Sequence, residues 1–346
     1  WVIEGIEGGV FALVSKVHHC MVDGISGVDL LQVLLSPFPQ EDFERAPIWS
    51  PRREPKPVEL LRDATLRRVR APRLLRRRLQ RSLRDPNGLL HDTRDTLEGI
   101  REVVLQGFRP SLDTPLNRPI GPHRRFDWTT MDLDEVKRVK KALGGTVNDV
   151  VLAAVAGAVG RYLESHGVPE HDQRNSDFRV FCPVSVRRAG ERGALGNRVS
   201  SMIARLPIYE RHPVRRLNAV SRTMGDLKKS KQALGAEILT SVSEWTSPTL
   251  ISAAARISFR NRASNMVVTN VPGPQIPLYL LGAKMLETYP MVPLFMNQCL
   301  GIALFSYAGA LHWGLNADWD QIPDLHEFVA ALEESFGELR DAADKV

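Results

Sequence analysis

An α/β protein in two lobes is the fold this sequence predicts, on three observations. Segments rich in Val, Phe and Ile interleave with helical segments and show no fixed repeat period. At 346 residues the chain is longer than one core usually organises, roughly 250 to 300 residues. Between Ser36 and Pro57 proline recurs (Pro37, Pro39, Pro47, Pro51, Pro55, Pro57) and apolar periodicity disappears, which describes a connection between lobes. We place part of a first lobe in residues 1–50, a Pro- and Arg-rich linker in 51–122 and the second lobe in 123–346.

Taken in order, Gly9 to His19 has the Val, Phe and Leu of a strand, and Ser26 to Leu35 reads as a helix. The turn between them carries Lys16-Val17-His18-His19-Cys20-Met21-Val22-Asp23-Gly24. In the linker, Leu60, Leu61, Ala64, Leu74, Leu75, Leu79 and Leu83 fall at roughly helical spacing, broken by Pro72, giving two short basic amphipathic helices. A polar connection with Pro110, Pro115, Pro119 and Pro122 leads into the second lobe.

There Asp132 can cap a helix from Leu133 to Leu143 that Gly144-Gly145 stops, and Thr146 to Asp149 has capping-box spacing. The next helix, Val147 to about His166, is so rich in Ala, Val and Gly that it should be buried, with Gly157 and Gly160 admitting another backbone. Phe178 to Arg187 reads as a strand in which Pro183 argues for an edge or a bulge. Arg198 to Leu206 is a second strand, and helices fill Pro213 to Leu234 and Glu237 to Phe259. Met266 to Asn270 is a short strand before the turn Val271-Pro272-Gly273-Pro274. Gly301 to Tyr307 and Leu311 to Asn316 form a hairpin turning at Ala308-Gly309, and a helix from Asp324 to about Ala342 follows.

The apolar fraction of 43% and charged fraction of 25% are ordinary for a globular chain, and no apolar run approaches a membrane span. Cys20, Cys182 and Cys299 are scattered and lack CxxC spacing, so neither a disulfide framework nor a zinc knuckle is expected. A reducing cytoplasm fits that usage. The chain opens on Trp1-Val2-Ile3 without an initiator Met or a signal sequence, as a piece of a longer protein would. Ten arginines face one aspartate, Asp63, between Leu61 and Arg84, which calls for an anionic partner. Without interleaved aromatics or a reading motif, that partner is not expected to be nucleic acid.

Adjacent strand residues point to opposite faces, so His18 and His19 cannot both address one reacting atom. The loop-proximal His19 is the candidate for the site, with His18 packed or hydrogen-bonded in its wall. An imidazole can take a proton at neutral pH and return it to a leaving group. Asp23 can orient that imidazole or hold the loop, and Gly24 supplies a positive φ or a close backbone approach. The set suits general-base catalysis on a hydroxyl. A zinc site, a Cys20-His19 nucleophilic pair and a structural histidine pair on a turn are the rival readings, the first two weakened by adjacency of the residues.

His18-His19-Cys20-Met21-Val22-Asp23-Gly24 resembles the HHxxxDG signature of the CoA-dependent acyltransferase superfamily, which includes chloramphenicol acetyltransferases and peptide-synthetase condensation domains. Downstream, Thr146 to Ala153, Cys182 to Arg187, Gly196-Asn197-Arg198 and Asn270 to Pro274 occur in the order typical of one branch, the bacterial wax ester synthase/diacylglycerol acyltransferases. Ser306-Tyr307-Ala308-Gly309 and the stretch from Asp318 to Asp324 are also similar, so the resemblance covers essentially the whole chain. It departs at the front, where family members carry further residues before the histidine motif. That implies a missing N-terminal segment, removed or still associated.

The resemblance implies two chloramphenicol-acetyltransferase-like lobes, each a mixed sheet with helices, around a central tunnel with His19 midway. The first lobe would be incomplete at its N-terminus, and a second-lobe segment would cross over to complete the first lobe's sheet. Acyl-CoA would be a co-substrate, with no metal or other cofactor, and a fatty alcohol or diacylglycerol the acceptor. Asn148 is the first choice for an oxyanion donor or positioning group, with Ser185 and Asn197 behind it; capping, strand and turn roles are their alternatives. Lipidic substrates would make Arg62 to Arg84 a contact for an anionic membrane or lipid-droplet surface, at the cytoplasmic face. Transfer of polyketide or carrier-bound acyl groups, and a non-catalytic lipid-binding protein, are the alternative functions.

Overall fold

The structure is a computed structural model and describes residues 1–18, 31, 34–39, 50–51, 53–66, 111–185, 199–229 and 264–346. The helices expected over Ser26–Leu35 and the basic segment fall partly outside those residues, and the one over Glu237–Phe259 entirely.

The second lobe is built on a six-stranded mixed sheet in the order β3-β10-β9-β6-β4-β5. These are β3 (Arg124–Asp132), β4 (Arg179–Ser185), β5 (Val199–Arg205), β6 (Met266–Pro272), β9 (Leu300–Tyr307) and β10 (Ala310–Asp318). β6 pairs in parallel with both β4 and β9, and the remaining pairs are antiparallel. The β9–β10 hairpin turns at Ala308 (φ 46) and Gly309 (φ 88), the two consecutive left-handed residues that a tight hairpin turn requires.

Helices cover one face. They are α1 (Leu133–Leu143), α2 (Val147–Ser165), α3 (Glu170–Arg174), α4 (Pro213–Lys229) and α5 (Leu325–Ala343). Asp132 caps α1 by accepting from Asp134 and Glu135 N–H at 2.8 Å each. Thr146 and Asp149 form the expected capping box of α2, at 3.2 and 2.8 Å. Residues 149–160 of α2 are all buried. A Cβ on Gly157 would fall on Ser335 and Arg216, and one on Gly160 on the Ile208 carbonyl, so both glycines are needed for close approach. Leu300, Ile302, Leu304, Leu311, Trp313 and Leu315 join α2 and α5 in one core cluster.

The alternate sheet residues face a strap of chain that precedes β9 and includes Pro290 and Val292. Gly301 and Gly314 leave room for Val292 and the Pro290 carbonyl, and Asn316 Nδ2 donates to Val292 O at 2.9 Å. His312, 2% exposed, also lies on this face. Its Nδ1 is 3.2 Å from Thr130 Oγ1, which is 3.0 Å from Tyr289 Oη, which donates to Glu287 at 3.0 Å. Read back from that carboxylate, the chain makes His312 Nδ1 a donor.

Burial holds the His312 imidazole below its ordinary 6.5, with Glu287 opposing. The folded protein therefore binds fewer protons here than the unfolded chain. This contribution is unperturbed above the unfolded value of 6.5 and turns destabilising as pH falls below it toward the folded pKa. His312→Gln should flatten that acid limb, measured by denaturant unfolding from neutral to about pH 5.

Several elements differ from the sequence reading. The first strand is shorter than Gly9–His19: β1 (Val2–Ile6) and β2 (Val10–Leu13) form a two-stranded hairpin, and residues 14–18 are irregular. Pro183 is not at a bulge, since β4 pairs with β5 in continuous register, and although β4 lies between β5 and β6 it is paired at Pro183 on the β5 side alone, as at a local edge. The parallel β4–β6 pairing stops at Phe181, so no ladder bond on that side needs the N–H that Pro183 lacks. The proline-bearing segment from 111 is packed in: Leu116 is fully buried, and Asn117 Nδ2 donates to Asn265 O and Asn297 O, at 3.0 Å each.

Candidate active site

The residues singled out above fall in two parts of the chain. In the first, His18 is exposed at the end of the irregular stretch after β2. His19, Asp23 and Gly24 lie outside the described residues, as do Cys20 and Asn197. Leu31 and Leu34 are helical, and Leu35 N–H donates to Leu31 O at 2.8 Å.

Ser36 then forms a bridge with Tyr279, each N–H donating to the other's carbonyl at 2.9 and 2.8 Å. Tyr279 belongs to a hairpin of β7 (Tyr279–Leu280) and β8 (Ala283–Lys284). Leu35, Leu278, Phe305 and Tyr307 pack in a second apolar cluster beneath it. The chain that leaves the His-Asp-Gly stretch is thereby fixed to the end of β9.

The second part is in the six-stranded lobe. Asn148 occupies the second position of α2, half-buried. Because Thr146 and Asp149 form the cap between themselves, the Asn148 carboxamide is left out of it and makes no hydrogen bond to a described residue. A free amide N–H beside the positive end of a helix dipole is suited to a developing oxyanion. Ser185 is the last residue of β4, opposite Val199 of β5. Thus Asn148 and Ser185 share a lobe, and His18 stands on the segment that follows the small β1–β2 hairpin.

The Asn270 to Pro274 motif has a packing role. A Cβ on Gly273 would strike the Phe305 ring and the Ser306 carbonyl, and Gly273 N–H donates to Ser306 Oγ at 3.2 Å. Gln275 continues the contact, accepting from Gly309 N–H at 3.1 Å across the β9–β10 turn. Cys182 is not a nucleophile, since burial pushes its thiol up to about 12 and keeps it protonated. Among the described residues, no cluster of three or more His, Cys, Asp or Glu could hold a metal ion. Nor is any single helix among them long and apolar enough to cross a membrane.

The sequence reading missed the β7–β8 hairpin, whose strands are two residues long. Gly282, following Leu281 at φ 52, was the one local signal for it.

Comparison with known proteins covers both parts. The wax ester synthase/diacylglycerol acyltransferase catalytic domain model matches residues 1–151, and the WS/DGAT C-terminal domain model matches residues 195–340. A Mycobacterium tuberculosis protein named as a diacylglycerol O-acyltransferase is 32% identical over 99% of this chain and 67% of its own length. An O-acyltransferase WSD of Acinetobacter baylyi is 29% identical over 96% of this chain and 71% of its own length. Among solved structures, the wax ester synthase/diacylglycerol acyltransferase of Marinobacter aquaeolei superposes with a TM-score of 0.64 at 25% identity, covering 99% of this chain and 70% of that one. The epimerization domain of a tyrocidine synthetase module shares the fold, with a TM-score of 0.51 at 15% identity over 95% of this chain and 68% of its own.

Proposed function

We propose that this chain, which belongs to the wax ester synthase/diacylglycerol acyltransferase family, moves a fatty acyl group from acyl-CoA to the hydroxyl of a long-chain alcohol or diacylglycerol, with His19 as general base. The observation that carries the proposal is the His18-His19-Cys20-Met21-Val22-Asp23-Gly24 stretch in a chain of that family.

An alcohol is far too weak an acid for His19 to deprotonate beforehand. The proton passes to the imidazole as the hydroxyl oxygen attacks the thioester carbon, and then to the departing CoA sulfur. The thioester is already activated, so the chemistry requires no covalent enzyme intermediate. Asn148 supplies an N–H to the oxyanion, and its carboxamide, which makes no hydrogen bond to a described residue, supports that role. Asp23 and Gly24 serve His19 by orienting its ring or holding its loop, and Ser185 and Asn197 are the second choices, after Asn148, for the oxyanion donor. The test is CoA thiol release with hexadecanol and with diacylglycerol as acceptors, beside a carrier-bound acyl donor. Preference for the carrier-bound donor would replace this reading by the polyketide-type one.

Both substrates partition into lipid, and the segment Arg62–Arg84 brings the protein to an anionic membrane or lipid-droplet surface from the cytoplasmic side. In support, residues 57–66 are helical and expose Val58, Leu60, Leu61 and Leu66 beside Arg62. Each cation near such a surface contributes about 1 kcal/mol, screened by salt. Flotation with anionic liposomes should therefore weaken with added salt and with Arg→Gln changes in this segment. Flotation indifferent to both would remove the membrane reading.

A further inference from the structure

We infer that Tyr307 is a positioning residue for acyl transfer, holding the β7–β8 hairpin in the place where it fixes Ser36, on the chain that follows the His18-to-Gly24 stretch. The inference rests on the reading of His19 given above.

β7 and β8 pair at Tyr279↔Lys284 and Leu280↔Ala283. The next pair outward is Leu278 with Met285, whose residues in a regular ladder would exchange two N–H···O=C bonds. One of these is present: Met285 N–H donates to Leu278 O at 2.8 Å. The other is replaced by a hydroxyl. Leu278 N–H donates to Tyr307 Oη at 2.8 Å, and Tyr307 Oη donates to Met285 O at 3.0 Å. The phenol thus completes the open rung at the base of the hairpin and ties it to the last residue of β9.

Tyr307 is 1% exposed and packs with Leu35, Leu278 and Phe305. On its other side β7 holds Ser36 through the reciprocal Ser36–Tyr279 bonds. The Tyr307 hydroxyl thus bonds both flanks of the hairpin, β7 bonds Ser36, and Ser36 follows Gly24 and His19 in the sequence. A displacement of about 1 Å at a catalytic group can cost on the order of a hundredfold in rate. Tyr307→Phe keeps the ring and its packing while leaving the Leu278 N–H and Met285 C=O without this partner.

The experiment compares the protein with its Tyr307→Phe variant by backbone hydrogen exchange and by acyl-transfer kinetics. Leu332→Ala, in the core on the helical face, serves as an equally destabilised control. Exchange should quicken about tenfold or more at 276–286 and at 34–38, as expected for loss of a buried hydrogen bond. The kcat should fall about tenfold or more with KM for acyl-CoA within about twofold, because orientation and not binding is lost. The control should keep its kcat at temperatures where it is folded. Ser36→Pro, which removes the N–H that Tyr279 O accepts, should reproduce the kcat loss and carries the test if Tyr307→Phe does not fold. Unchanged exchange at 34–38, an unchanged kcat, or an equal kcat loss in the control would each overturn the inference. A parent protein without acyl transfer would instead sink the reading of His19, and the exchange arm would still decide whether Tyr307 holds the hairpin and Ser36.

Discussion

Replacing His19 by Ala should lower acyl transfer by about two to four orders of magnitude, the usual contribution of a positioned general base. The loss should appear in kcat and in kcat/KM alike, because the proton moves only as the C–O bond forms. Binding of acyl-CoA should change little. His18→Ala, at the neighbouring position, should cost less, since the proton transfer is proposed for His19 and His18 is left a supporting role. Steady-state thiol release for both variants checks the order. Retained turnover in His19→Ala would remove His19 from the mechanism.

Arg216→Leu should produce the largest loss of stability, about 2 to 4 kcal/mol, because several carbonyl and hydroxyl acceptors around a buried guanidinium lose their donor together. Its side chain is fully buried. Nε donates to Ala153 O at 3.0 Å, Nη1 to the Glu210 and Arg211 carbonyls at 3.1 Å each, and Nη2 to Ser335 Oγ at 3.1 Å and Glu338 at 3.0 Å. One guanidinium therefore joins α2, α4 and α5, and Gly157 leaves the room it needs. Leucine would strand Glu338 beside Arg161 alone and leave the loop carbonyls without their donor. Arg215→Leu makes the contrast: Arg215 is exposed and pairs with Glu210 at the surface, so its loss should cost under about 1 kcal/mol. Urea unfolding of the two variants measures the difference, and equal losses would contradict the assignment.

The parts of the fold legible in the sequence are those written in local chemistry. Asp132 before α1, the Thr146–Asp149 box before α2, and Ala308-Gly309 between β9 and β10 each act on a neighbour a few residues away, and each was read correctly. β3 was missed because Arg124, Arg125 and Asp127 interrupt its apolar pattern. Its strand character comes from nine-residue pairing with β10, almost two hundred residues distant. Pro183 signalled a one-sided position, but that β4 is an interior strand whose parallel partner ends before it is a tertiary fact.

The site divides in the same way. His18, His19, Asp23 and Gly24 are adjacent in the chain, so their chemistry can be read as a motif. Asn148 could be chosen from sequence, but that Thr146 and Asp149 leave its amide unused follows only from the cap geometry. Tyr307 belongs to a motif whose role no spacing reveals, since its partners Leu278 and Met285 are joined to it by folding alone.

The central claim, that this family member transfers an acyl group from CoA to a lipid hydroxyl, is tested most directly by following CoA and ester together in one reaction. The account predicts that thiol release from a long-chain acyl-CoA depends on added hexadecanol or diacylglycerol, and that each CoA released is matched by one molecule of wax ester or triacylglycerol. Thiol release that ignores the acceptor, or that yields free fatty acid in place of ester, would contradict it.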